Sequence, residues 1–95
     1  MEEIIREVIR GVPRGKVFDS HYVIQELLRR EDGTDAYIVF GADYATSARP
    51  TLTAHQQIGH LIAGLRDLAR RVPDTQSWSM TIHGMPGECA LWQRI

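Results

Sequence analysis

The residues of this 95-residue sequence that could carry bond-making or metal chemistry are few: four histidines, one cysteine and the run Asp19-Ser20-His21. That run holds the letters of a hydrolase triad, but adjacent residues at a helix start point apart and cannot relay a proton. A capping role for Asp19 explains it more simply. Cys89 and His83 would make a nucleophile–base pair only if a hairpin brought them within hydrogen-bond reach, and Cys89 otherwise serves as a small apolar strand residue. His55 and His60 are five residues apart, which turns them ~140° from one another on a helix, so they do not share one ion. Paired ligands at the short gaps of a zinc site are absent. So are a phosphate-binding glycine loop and a dinucleotide fingerprint. The expectation is a protein without metal, without cofactor and without an active site.

The remaining chemistry is recognition. Residues 51–72, TLTAHQQIGHLIAGLRDLARRV, place Ile58, Leu61, Ile62, Leu65, Leu68, Ala69 and Val72 on one stripe at helical spacing. The opposite face holds Gln56, His60, Ala63, Asp67 and Arg70. Thr53 and Gln56 have the spacing of a capping box, which starts a helix over 53–72. No acidic residue occupies its first turn, so its free N–H groups and positive dipole end face an anion unopposed.

The elements that must position this helix follow from pattern and punctuation. Glu2 to Val12 reads as a first helix with Ile4, Ile5, Val8, Ile9 and Val12 buried, ended by Gly11 and Pro13. Lys16-Val17-Phe18 is a short extended piece. Asp19 caps a second helix, with Phe18 and Val23 as a hydrophobic staple, Arg29 and Arg30 at its negative dipole end and Gly33 as its stop. Tyr37–Phe40 is apolar, β-branched and aromatic, so it reads first as a strand, although so short a run also fits one helical turn. Residues 42–50 form a loop. Ser77 to His83 alternates, with Trp78, Met80 and Ile82 on one side and Ser77, Ser79, Thr81 and His83 on the other, as in a half-buried strand. Gly84–Gly87 is a turn, and Cys89 to Ile95 is a second strand. Trp78 and Trp92 are expected to pack the sheet on the helices; as an alternative they form an aromatic anchor for a protein partner.

Composition bounds the answer. An apolar fraction of 43% in 95 residues suits one globular domain over 1–95. One cysteine allows no internal disulfide and fits a reducing compartment. No stretch approaches the ~20 apolar residues of a membrane span, and Met-Glu-Glu is not a signal-peptide start, so a cytoplasmic protein is expected. Net charge is −1, but residues 1–48 carry six basic and nine acidic groups and residues 49–95 carry five and three. The half containing the long helix is the electropositive one.

The order helix, extended piece, helix, connector, longer helix, hairpin resembles a winged helix domain, the helix-turn-helix variant with a β-hairpin wing. The implied fold class is α+β, a three-helix core with a C-terminal antiparallel β-hairpin. The long connector and a wing loop, HGMPGE, without Lys or Arg depart from that pattern. The resemblance implies that the helix over 53–72 lies in the major groove of double-stranded DNA, with Gln56, Gln57 and His60 at base edges. Glutamine suits adenine, because its amide can bond N6 and N7 together. Arg49 before the helix and Arg70 and Arg71 at its end would hold phosphates, with Asp67 opposing them. The wing would touch DNA through His83, Met85 and Arg94, or only complete the sheet. A small transcriptional regulator is the implied function, working as a homodimer through the first helix or Tyr37–Phe40. The rival expectation is a protein-interaction module that keeps the shape without DNA binding.

Overall fold

The first helix, α1 (Glu2–Arg10), buries Ile5, Val8 and Ile9, and Glu2 and Glu3 occupy its first turn, where the dipole favours acids. The computed structural model describes residues 1–95. The chain continues through β1 (Val17–Asp19), α2 (Ser20–Arg29), α3 (Glu31–Ala42), α4 (Pro50–Gly64), β2 (Ala69–Met80) and β3 (Pro86–Arg94). It is an α+β fold of four helices and one antiparallel sheet in the order β1-β3-β2. Phe18 pairs with Trp92 across β1 and β3, and Ser77 with Cys89 across β2 and β3. No helix is long and apolar enough to cross a membrane.

Asp19 caps α2 as its type and position predict, accepting a 2.7 Å hydrogen bond from the Tyr22 backbone N–H. Phe18 and Val23, the staple pair, are both buried. The core runs from α1 through α2 to α4 and the sheet, with Ile5, Ile9, Val23, Leu27, Ile58 and Ile62 fully enclosed. Truncating any of these to alanine costs about 2–5 kcal/mol for the isoleucines and leucine, through lost transfer energy and the cavity left behind.

Several expectations about the elements are overturned. Tyr37–Phe40 is not a strand: it lies within α3, a helix inside the connector, so the helical part has four members rather than three. Tyr37 and Phe40, three apart, pack half-buried on the core while Ile38 and Val39 point to solvent at 63% and 72% exposure. That is helical segregation, which a four-residue apolar run conceals. Gly33 does not stop α2 either; it sits in the first turn of α3, where a side chain would strike the Leu27 backbone.

The long helix ends at Gly64 and not at 72. Leu65 and Leu68 stay buried in a following turn, closed by the Leu68 and Ala69 N–H groups on the Leu65 carbonyl. Such a turn keeps the three-residue spacing of a helix, so the stripe cannot distinguish the two. Ala69 to Arg71 pair with Arg94 to Trp92 and become strand. At its start, α4 is entered by Pro50 with Arg49 as the capping residue; Thr53 makes no cap bond, and its hydroxyl instead meets that of Ser47 at 3.3 Å.

The alternation in β2 is correct and its facing is inverted for Trp78 and Met80, whereas Ile82, just past the strand, packs on the core as expected. Ser77, Ser79 and Thr81 are half-buried, turned toward α2 and the groove beside it, whereas Trp78 and Met80 are 68% and 51% exposed. Of the two tryptophans only Trp92 packs the sheet on the helices, its indole N–H donating to Ser20 Oγ at 3.1 Å. An irregularity in pairing between Arg71 and Gln76, with Asp74 at φ 56°, separates the two halves of β2. The strand after it presents its hydroxyls, not its large apolar groups, to α2. The second strand of the hairpin also starts earlier than expected, at Pro86.

Candidate functional site

A groove of about 940 Å³ opens between α4, the start of α2 and the hairpin. One wall is the outer face of α4, with Gln56, Gly59, His60 and Ala63; the other is the hairpin with Thr81, His83 and Glu88; His21 and Cys89 lie between them. All four histidines of the chain, His21, His55, His60 and His83, line it. They come from two helices, α2 and α4, and the turn after β2, which is why spacing within one helix revealed nothing of their gathering.

Burial sets the state of one of them. His55 is half-buried beside Tyr37, whose hydroxyl meets its Nε2 at 2.7 Å, and the rings stand 5.8 Å apart. Burial holds the His55 pKa below the ordinary histidine value, with His83 and His21 adding repulsion. Burial also raises the Tyr37 phenol. His55 is therefore neutral near pH 7, and α3 supplies a partner that fixes its ring.

The expected recognition residues divide into two groups. Gln56 and His60 are exposed on α4, His83 is exposed at the turn after β2, and all three face the groove. Arg49 is exposed at the start of the same helix. Gln57 is half-buried and lies off the groove. Arg70 and Arg71 are not at a helix end, because that segment is β2. Arg70 donates twice to Gln93 Oε1, at 2.9 and 2.7 Å. Arg71 lies within the groove but is committed to the fold: its Nη1 donates to the carbonyls of Val72, Thr75 (2.8 Å) and Leu91 (3.1 Å), and its guanidinium lies 5.9 Å from the Trp92 ring centre. It ties down the irregular stretch of β2. Arg94 is buried rather than on the wing surface. Asp67, placed by helical periodicity on the recognition face, is instead bonded to Arg6 of α1 at 2.9 Å. That hydrogen bond lowers the Asp67 pKa and raises that of Arg6.

Beside the groove, which His21 and Cys89 line, Asp19, His21 and Cys89 converge, with one ligand-capable atom of each within 4.8 Å of the others. Cys89, read from the sequence as a small apolar strand residue, lies near His21. Asp19 has extended backbone (φ −120°, ψ 172°). Ser20 and His21 already belong to α2, so the local run carries no sign of the convergence; it is the passage of β3 beside the start of α2 that brings Cys89 to them. The cluster is not a nucleophile triad: Asp19 is occupied by Tyr22 N–H and by Ser77 Oγ at 2.6 Å, and His21 Nδ1 by Ser79 Oγ at 2.8 Å. Burial pushes the Cys89 thiol up, so it is protonated at neutral pH and weakly nucleophilic. Burial works against the Asp19 carboxylate too, but hydrogen bonds from Ser77, Ser79 and Tyr22 outweigh it and hold its pKa below the ordinary value.

The class that the fold and groove define is an α+β domain of four helices and a three-stranded antiparallel sheet, with an open groove between its fourth helix and its C-terminal hairpin. Compared with protein-family models, curated proteins and solved structures, the chain matches none.

Proposed function

We propose that the protein binds double-stranded DNA, with the outer face of α4 in the major groove and the β2–β3 hairpin alongside. The observation that carries this reading is electrostatic. From Tyr44 to Arg66 the sequence contains no carboxylate, and Arg49 and Arg66 stand exposed at either end of α4. Asp67, which would repel phosphate at that end of α4, is held against Arg6, leaving Glu88 on the hairpin as the one carboxylate that lines the groove. Gln56 and His60 supply hydrogen-bonding groups for base edges, and Arg49 supplies a phosphate contact. Arg70 and Arg71 have no part in the contact, since both are spent within the sheet. One helix reads only a few base pairs, so a homodimer supplies the rest; Ile38 and Val39 on α3 offer the exposed apolar surface for it.

Fluorescence anisotropy on a pool of labelled duplexes at rising salt tests the proposal. Binding should weaken steeply with salt. Arg49→Ala should reduce the salt slope by about one phosphate equivalent, and Gln56→Ala should alter sequence preference. Absence of binding at low salt refutes it.

A second reading is favoured by a different observation. Trp78, Met80 and Met85 (67% exposed) present large apolar groups on the hairpin, where tryptophan and methionine suit a protein partner. That module would ignore duplex DNA at every salt concentration and lose its partner on Trp78→Ala.

A further inference from the structure

We propose that Asp19, His21 and Cys89 bind one divalent ion of the zinc class, at the edge of the groove where β3 passes the start of α2. The three ligand-capable atoms already lie within 4.8 Å of one another. In a tetrahedral zinc site, bonds of 2.0–2.3 Å place ligand atoms roughly 3.3–3.8 Å apart. Contraction of about an ångström therefore completes the site, within reach of side-chain rotation. The residues are drawn from two segments seventy positions apart in sequence, so the ion would cross-link strand to helix.

Charge and surroundings support the assignment independently of the distances. Asp19 is half-buried and belongs to none of the ion pairs of the structure, which join Arg6 to Asp67, Arg29 to Glu26 and Arg30 to Glu7. A carboxylate in that position is a negative charge without a cation. Its two oxygens are oriented by Tyr22 N–H and Ser77 Oγ, and His21 Nδ1 is oriented by Ser79 Oγ. Hydroxyls bonded to the ligating groups are the outer shell that a metal site needs to fix its ligands. A thiolate, an imidazole and a carboxylate together favour zinc or cobalt over magnesium or calcium, which prefer oxygen alone. Three protein ligands leave a fourth position, and His21 and Cys89 both line the groove, so water or a groove-bound ligand can reach it. This inference is separate from DNA binding; either stands without the other.

Cobalt is the test probe, because its spectrum reports the ligands. The whole chain, kept reduced, is titrated with Co²⁺ and then with Zn²⁺. One equivalent of Co²⁺ should produce visible bands of tetrahedral intensity and a near-ultraviolet thiolate charge-transfer band, both abolished by Zn²⁺. Cys89 is the only cysteine, so that band can arise from no other residue. Cys89→Ser should remove it. His21→Gln and Asp19→Asn should each weaken binding by at least about tenfold. Asn also caps helices, so Asp19→Asn separates loss of a ligand from loss of the fold. Circular dichroism of each variant confirms that it is folded. No thiolate band at millimolar Co²⁺ overturns the proposal. So does undiminished affinity in folded His21→Gln or Asp19→Asn, which would move the metal to other groove histidines.

Discussion

Replacing Gly33 by alanine sets two physical effects against each other at the joint between α2 and α3. Gly33 is buried in the first turn of α3, where helix propensity alone makes alanine the better residue by about 0.5–1 kcal/mol. Tertiary contact says the opposite. A Cβ at Gly33 would stand 2.2 Å from the Leu27 carbonyl oxygen, 3.0 Å from its carbon and 3.1 Å from its Cα, where ordinary contact begins at 3.4 Å. The shortfall to the oxygen is about 1.2 Å against backbone, which cannot rotate away. Forcing such an overlap apart costs about 1–3 kcal/mol or more. The net expectation is a loss of roughly 1–2 kcal/mol, or about 5–15 °C in Tm for a domain of this size. Gly59→Ala provides the contrast: nothing lies within 4 Å of its Cβ position in the middle of α4, so it should stabilise by about 0.5–1 kcal/mol. Urea unfolding followed by Trp92 fluorescence reads both, as opposite shifts in midpoint at unchanged slope. If Gly33→Ala is as stable as the parent or more so, the close crossing of α2 and α3 is wrong, and with it the placement of Tyr37 against His55.

The other expectations concern the site. Trp92→Phe removes the N–H donor to Ser20 Oγ in a buried position and should cost about 1–3 kcal/mol, while adding Ser20→Ala should return part of that loss, as a double-mutant cycle by denaturation would show. His55 has a lowered pKa, so the unfolded chain binds its proton first as pH falls below about 6.5; stability should therefore drop on acidification from neutral pH, and His55→Gln should flatten that part of the melting-temperature profile. Asp19, also depressed, contributes stability above the ordinary carboxylate pKa that is lost as pH falls through its folded value; Asp19→Ala should remove this acid dependence and cost about 0.5–2 kcal/mol at neutral pH, whereas Asp19→Asn keeps the cap. Gly59→Ala, although stabilising, adds a methyl group to the groove wall and should weaken duplex binding in the anisotropy assay if α4 is the element in contact.

Local chemistry in the sequence was enough to place α1, the Asp19 cap, the Phe18–Val23 staple and the C-terminal hairpin. Each depends on residues within a few positions of one another: acids in a first turn, a carboxylate beside free N–H groups, alternation along a strand. Helical periodicity also located Gln56 and His60 on the outer face of α4, while His83 was placed beside them only by the winged helix resemblance. What the local signals could not supply was any choice that depends on distant partners. The helical stripe continues through Leu65 and Leu68, but pairing with β3 converts Ala69–Arg71 to strand and takes Arg70 and Arg71 out of the recognition face. Alternation in β2 defines two sides without saying which is inward; contacts with Asp19 and His21 turn the hydroxyl side in and leave Trp78 outside. The meeting of Asp19, His21 and Cys89 required α2 and β3 to cross, and nothing within either segment records the other. Short-range hydrogen bonds and capping were legible along the chain because their partners are neighbours there, while facing, termination and convergence were settled only by packing between segments far apart in sequence.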